Sequence, residues 1–114
     1  MHTVRTPWGV ADEVIDLANG CFFVGTESHG GMYVPPNLIQ KMPAACRSTP
    51  SSKGGWFEED ADIALPAALL GSEAGFNEEQ VKQARTMILK DRERERPYLS
   101  KLVPAGIMAQ WEAQ

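Results

Sequence analysis

The dipeptide Asn19-Gly20 restricts this chain more than any other local feature, because it separates two apolar segments, residues 11–18 and 21–26. A two-residue hairpin loop requires positive φ at both central positions, and Asn-Gly meets that requirement at the lowest steric cost. Residues 21–25 (Cys-Phe-Phe-Val-Gly) read as a strand. The preceding segment is ambiguous, since Val10, Val14, Leu17 and Ala18 also fit a helical spacing with Gly20 as its cap. A strand is preferred, because a two-residue loop feeding a strand needs a partner beside it. Ser28-His29-Gly30-Gly31 makes a second turn and Met32-Tyr33-Val34 a third strand, giving a three-stranded antiparallel meander. Pro35-Pro36 ends the pairing, since proline gives the ladder no N–H.

The rest of the chain reads as helices and loops. Leu38, Ile39, Met42 and Ala45 fall at helical spacing, interrupted by Pro43, so residues 37–47 form a short helix or two helical turns. Residues 48–55 (Ser-Thr-Pro-Ser-Ser-Lys-Gly-Gly) have the composition of a flexible loop. Residues 56–70 read as a helix that begins with acids and ends apolar. Pro66 either interrupts it or opens a second helical piece. The strongest helix signal runs from Asn77 to Arg96. Asn77 and Gln80 have capping-box spacing, Phe76 and Val81 staple spacing, and Val81, Ala84, Met87 and Ile88 form an inward stripe. Pro97 ends this helix. In the tail, residues 97–114, Ile107, Met108 and Trp111 form an amphipathic turn that docks back. The expected fold is α+β, a small antiparallel meander with about three helices on one face. It forms a single domain over 1–114, with a core at 6–70, a charged helix at 77–96 and a tail.

Composition bounds function. With 43% apolar and 23% charged residues among 114, the chain resembles an ordinary globular domain and not a disordered one. Its most apolar stretch, residues 63–70, is far shorter than the roughly 20 residues that span a bilayer, so no membrane partner is expected. Residues 1–9 lack the apolar core of a signal peptide, so a cytoplasmic location with reduced thiols is expected. Cys21, inside an apolar run, reads as a buried inert thiol. Residues 1–76 hold nine acids and four bases, and residues 77–114 six acids and seven bases, net −5 and +1. That asymmetry is too small to mark a nucleic-acid-binding face.

Three constellations have chemical potential. Trp56-Phe57-Glu58-Glu59-Asp60-Ala61-Asp62 places four carboxylates in five positions, which suits a hard cation. The plainer reading, which we prefer, is an acidic first turn complementing a helix dipole. His29, among glycines, has the chemistry of a base or ligand, and more plainly that of a turn histidine packed locally. Paired with the acidic run it would make a histidine–carboxylate site only if turn and helix start meet in space. His2 is set aside as part of a mobile terminus. Arg92 to Arg96 alternates Arg with Glu, the pattern of a solvated helix face with i,i+3 pairs Lys90–Glu93, Asp91–Arg94, Arg92–Glu95 and Glu93–Arg96. No aromatic residue interleaves there for base stacking, so nucleic-acid binding is disfavoured. The nucleophile-elbow, phosphate-loop and zinc-protease signatures are absent.

Thr6-Pro7-Trp8-Gly9, Ser28-His29-Gly30-Gly31 and Trp56-Phe57-Glu58-Glu59-Asp60, in this order and spacing, resemble a family of short uncharacterised domains of unknown function in phage, plasmid and bacterial proteins. The resemblance covers roughly residues 5–65. It implies no activity, and it treats His29 and the acidic run as one unit. The expectation is a non-enzymatic accessory protein of a phage or mobile element that binds a host protein, such as a component of a CRISPR-type defence system. No cofactor and no metal are expected, and the binding residues are His29, Trp56, Glu58, Glu59, Asp60 and Asp62. Two alternatives stand beside it: a metal-dependent, hydrolase-like enzyme using His29 with the acidic cluster, and a nucleic-acid accessory factor using residues 92–96.

Overall fold

In the computed structural model, which describes residues 3–114, the Asn19-Gly20 hairpin is present. His2 lies outside the described residues. Asn19 adopts φ 55° and Gly20 φ 86°, and the turn joins strands β3 (Glu13–Asp16) and β4 (Phe22–Gly25). The Asn19 amide donates to the Glu73 carbonyl at 2.7 Å, which ties the turn to the helical layer. Before this hairpin, β1 (Arg5–Thr6) and β2 (Gly9–Val10) pair across Pro7-Trp8. After it, β5 (Gly30–Tyr33) continues the meander.

A fourth strand completes the sheet, and here the sequence reading fails. Trp56–Glu58 is strand β6, antiparallel to β5, giving the order β3-β4-β5-β6. The expected helix start at residue 56 does not exist. Phe57 is fully buried while its neighbours Trp56 and Glu58 are half-buried, the period-two alternation of a strand. Residues 59–63 turn, and helix α2 begins only at Ala64 (Ala64–Leu70). Pro66 is the third residue of α2, where its missing N–H is one of the four a helix leaves unpaired.

Residues 37–47 resolve into helix α1 (Pro36–Ile39) and a 3-10 turn (Ala44–Cys46). Helix α3 (Glu78–Asp91) carries the expected capping box: Gln80 N–H donates to Asn77 Oδ1 at 2.8 Å, and Asn77 N–H to Gln80 Oε1 at 2.9 Å. Ala84 and Ile88 of its stripe are buried and Val81 half-buried, but Met87 is exposed. The helix stops at Asp91, not Arg96. Helix α4 (Ala105–Glu112) docks back with Met108 and Trp111 buried.

The strand register assigns the two faces of the sheet, because paired residues share a face. Met32 and Phe57, paired across β5 and β6, enter the core with Leu65, Ala68, Ile88, Leu99 and Trp111 from the helical layer. Phe22, Tyr33 and Trp56 are paired in succession on the opposite face, together with Val24, Gly31 and Glu58. The architecture is therefore α+β, with one more strand in the meander than expected and, besides it, the unexpected two-stranded β1-β2 sheet. Among the described residues, no helix is long and apolar enough to cross a membrane.

Candidate functional site

The three landmark motifs converge on the outer face of the sheet. The β1–β2 turn drops the Trp8 ring onto β5 at Gly31. A Cβ there would overlap that ring and lie 2.5 Å from the Phe57 carbonyl oxygen, so only glycine fits. Trp8 meets Trp56 edge to face, with ring centroids 5.9 Å apart. Trp56 continues into Tyr33 (5.0 Å) and Phe22 (5.8 Å), and Phe22 stacks on Tyr33 (5.2 Å). These separations suit favourable offset and T-shaped aromatic pairs. Together the four half-buried rings form a continuous aromatic layer over the outer face.

His29 and the acidic run do meet, through the β5–β6 register that sets Gly31 opposite Glu58. His29 Nδ1 lies 3.9 Å from Glu58 Oε1, beyond hydrogen-bond reach, and the histidine side chain is 51% exposed. Thr26 anchors this turn instead, its hydroxyl donating to the His29 carbonyl (2.8 Å) and accepting from the His29 N–H (3.1 Å). Glu59 N–H donates to the Gly30 carbonyl at 3.0 Å, and its carboxylate lies over the Gly30 Cα. Asp60 is exposed on the turn.

Asp62 points the other way, into the protein. It is 2% exposed, and both Thr49 and Ser52 donate their hydroxyls to its Oδ2. Ser52 Oγ in turn accepts the Glu58 N–H at 3.0 Å, which covers the outer edge of β6. Residues 48–55, flexible by composition, are thus pinned, with Thr49 and Ser52 buried and bridged to each other. Tyr98 faces the same cluster. Burial pushes its phenol upward, Asp62 pushes it the same way, and Thr49 and Ser51 partly oppose them. The sequence reading missed this cluster, and its one available signal was an aspartate shortly before an apolar helix.

The acidic cluster is therefore divided among three roles. Glu58 flanks His29, Glu59 and Asp60 face solvent, and Asp62 staples a loop. Among the described residues, no three His, Cys, Asp or Glu side chains converge in a way that would hold a metal ion. Both cysteines are free and buried, and burial raises their thiols, Cys46 to about 11. Neither is poised as a nucleophile.

The charged segment after α3 is likewise engaged. Of the four expected i,i+3 pairs, Asp91–Arg94 forms, at 3.1 Å, while Arg92 reaches Glu112 of α4 at 2.9 Å. Asp91 Oδ2 accepts the N–H groups of Tyr98 (2.8 Å) and Ser100 (2.9 Å) and the Ser100 hydroxyl (2.8 Å). That capture turns the chain back and ends the helix. On α3, Arg85 donates to the Ala68 carbonyl (3.1 Å) and to Gln114 Oε1 (3.0 Å), and lies 5.5 Å over the Trp111 ring. Two of the three arginines in residues 92–96 thus have carboxylate partners.

No curated protein and no solved structure matches this chain. One family model does, over residues 1–97, which extends past the three landmarks and through the whole of α3. The chain belongs to the family described as a domain of unknown function, DUF7007.

Proposed function

We propose that this domain works by binding a protein and carries out no chemistry of its own. The observation behind this reading is that the landmark residues are absorbed by packing. Trp8 occupies the face of Gly31, Asp62 holds Thr49 and Ser52, and His29 stands beside Glu58 without a hydrogen bond. Besides the exposed acids, large apolar side chains remain at the surface: Val10 of β2 and Val14 and Ile15 of β3 are about half-exposed, as is Met87 of α3. A scatter of such residues is ordinary, but Val14 and Ile15 expose both faces of β3, which ends the four-stranded sheet, and this suits an interaction edge.

The partner we favour is a host protein, and in the narrowest form of the proposal a component of a bacterial defence system such as a CRISPR-type complex. The test is co-purification with a tagged chain, together with the effect of expressing it on defence activity. Absence of a co-purifying protein and unchanged defence would defeat the reading. A thermal melt with and without divalent cations separates it from a metal-dependent enzyme. A binding module shows no cation-induced rise in melting temperature, whereas a metal site produces one by mass action that His29→Ala removes.

A further inference from the structure

We infer that β3 is a docking edge for an extended, basic segment of a partner protein, which adds to the sheet as a fifth strand. The inference rests on the protein-binding reading above and names the partner's chemistry. β3 ends the sheet order, and among the described residues no strand pairs with its far side. Leu17 N–H donates to the Cys21 carbonyl at 2.9 Å. By the alternation of an antiparallel ladder, Ile15 and Glu13 then face β4, and Val14 and Asp16 turn their N–H and C=O groups outward. The opposite edge differs, because Ser52 accepts the Glu58 N–H of β6.

β3 is also exposed on both faces, with Val14 45% and Ile15 49% exposed. Protected edges usually carry lysine or proline, whereas this one carries two β-branched apolar residues between acids, and its irregularity, where the Asp12 N–H donates to the Gly25 carbonyl at 2.7 Å, lies before Val14. Asp12, Glu13 and Asp16 line it. Between Arg5 and Lys41 the chain has those three acids and Glu27, and no Lys or Arg. A second copy of this chain would set the same acids against one another across the new ladder, which is destabilising. A segment alternating Lys or Arg with apolar residues would complement both the charge and the side chains of β3. Main-chain hydrogen bonds would supply affinity and the flanking acids would supply selectivity.

The experiment uses the full chain and two short synthetic peptides, one alternating Lys with Val and Thr, the other with Glu in place of Lys. The Lys peptide is expected to slow hydrogen exchange at the Val14 and Asp16 amides about tenfold at saturation, with the Glu peptide leaving them unchanged. Its binding should weaken as salt rises from about 50 to 500 mM. Val14→Pro removes an outward N–H without breaking a bond to β4 and should abolish the protection. The double variant Glu13→Lys, Asp16→Lys should transfer binding to the Glu peptide, a readout that survives if the proline variant does not fold. Equal binding of the two peptides, protection that maps elsewhere, no binding of the Lys peptide, or concentration-dependent self-association through β3 would each overturn the inference. A cellular partner captured equally by wild type and the double variant would also overturn it while leaving the protein-binding reading intact. Capture of no partner by either would count against that broader reading instead.

Discussion

The six-membered ring of the Trp8 indole sits where a Gly31 side chain would stand, so that two landmark motifs, separated in sequence, share a single contact. The contact explains why the second glycine of Ser-His-Gly-Gly carries no side chain: a Cβ there meets a ring on one side and the Phe57 carbonyl on the other. Gly31→Ala should therefore destabilise the fold by about 3 kcal/mol, the upper range for overpacking. The ring can move but the carbonyl cannot. In a Trp8→Ala background the cost of Gly31→Ala should fall without vanishing, a coupling that urea denaturation of the four-member cycle would reveal. Equal costs in the two backgrounds would mean that the ring is not the obstacle.

Ser52 links two backbone events through one hydroxyl, donating to Asp62 and accepting the Glu58 N–H. Ser52→Ala leaves both groups short of a partner in a buried place, and we expect a loss of about 2–3 kcal/mol. Asp62→Asn should cost a similar amount, since the two hydroxyl bonds to Oδ2 lose their charge assistance and an amide N–H₂ replaces one of the carboxylate's acceptor oxygens in a buried place. Because both residues belong to one network, the double variant should lose clearly less than the sum of the singles in chemical denaturation. Simple additivity would show that the loop is held by other contacts.

These two relationships also show where the sequence is legible. The Asn19-Gly20 turn and the Asn77–Gln80 capping box are local, and their backbone geometry follows from residues a few positions apart. Strand β6 was not legible. Its three residues gain their structure from pairing with β5, whose end lies more than twenty positions upstream, and the acids that follow mimic a helix first turn. Missing β6 also left the pairing of His29 with the acidic run conditional on a turn meeting a helix start, whereas it is the β5–β6 register that places His29 beside Glu58. The loop over residues 48–55 has the same Ser, Thr and Gly composition whether it is free or pinned, and only Asp62, ten positions beyond Ser52, decides between them. The end of α3 was overrun for a related reason. The charge pattern continues to Arg96, but Asp91 takes the N–H groups of Tyr98 and Ser100 and diverts the chain.

The two thiols offer a test of the core that is independent of function. Cys46 is fully buried and donates to the Leu102 carbonyl at 3.3 Å, and burial raises its pKa to about 11. Cys21 is shifted in the same direction for the same reason. Thiolate is the reactive form, so in the native state both should react slowly with a disulfide reagent near pH 8. The rate should rise to that of a free thiol in denaturant. Rapid labelling of one cysteine under native conditions would show local opening at that site.

Asp91 should make the helical layer acid-sensitive. Burial alone would raise its pKa, but hydrogen bonds from the Ser100 backbone and hydroxyl, the Tyr98 backbone and the Arg94 side chain more than offset this and hold it below the usual aspartate value. A folded-state pKa below the unfolded one stabilises the fold at pH above the unfolded value near 4, and that contribution is lost as pH falls through the folded pKa. Asp91→Asn keeps the shape but replaces one acceptor oxygen with a donor, and should cost about 1–3 kcal/mol at neutral pH. The difference in stability between wild type and this variant should shrink as pH is lowered below about 4, because the wild-type carboxyl then protonates and loses the same charge-assisted bonds. Stability curves that stay parallel from pH 7 to pH 3 would assign the acid response to other carboxylates.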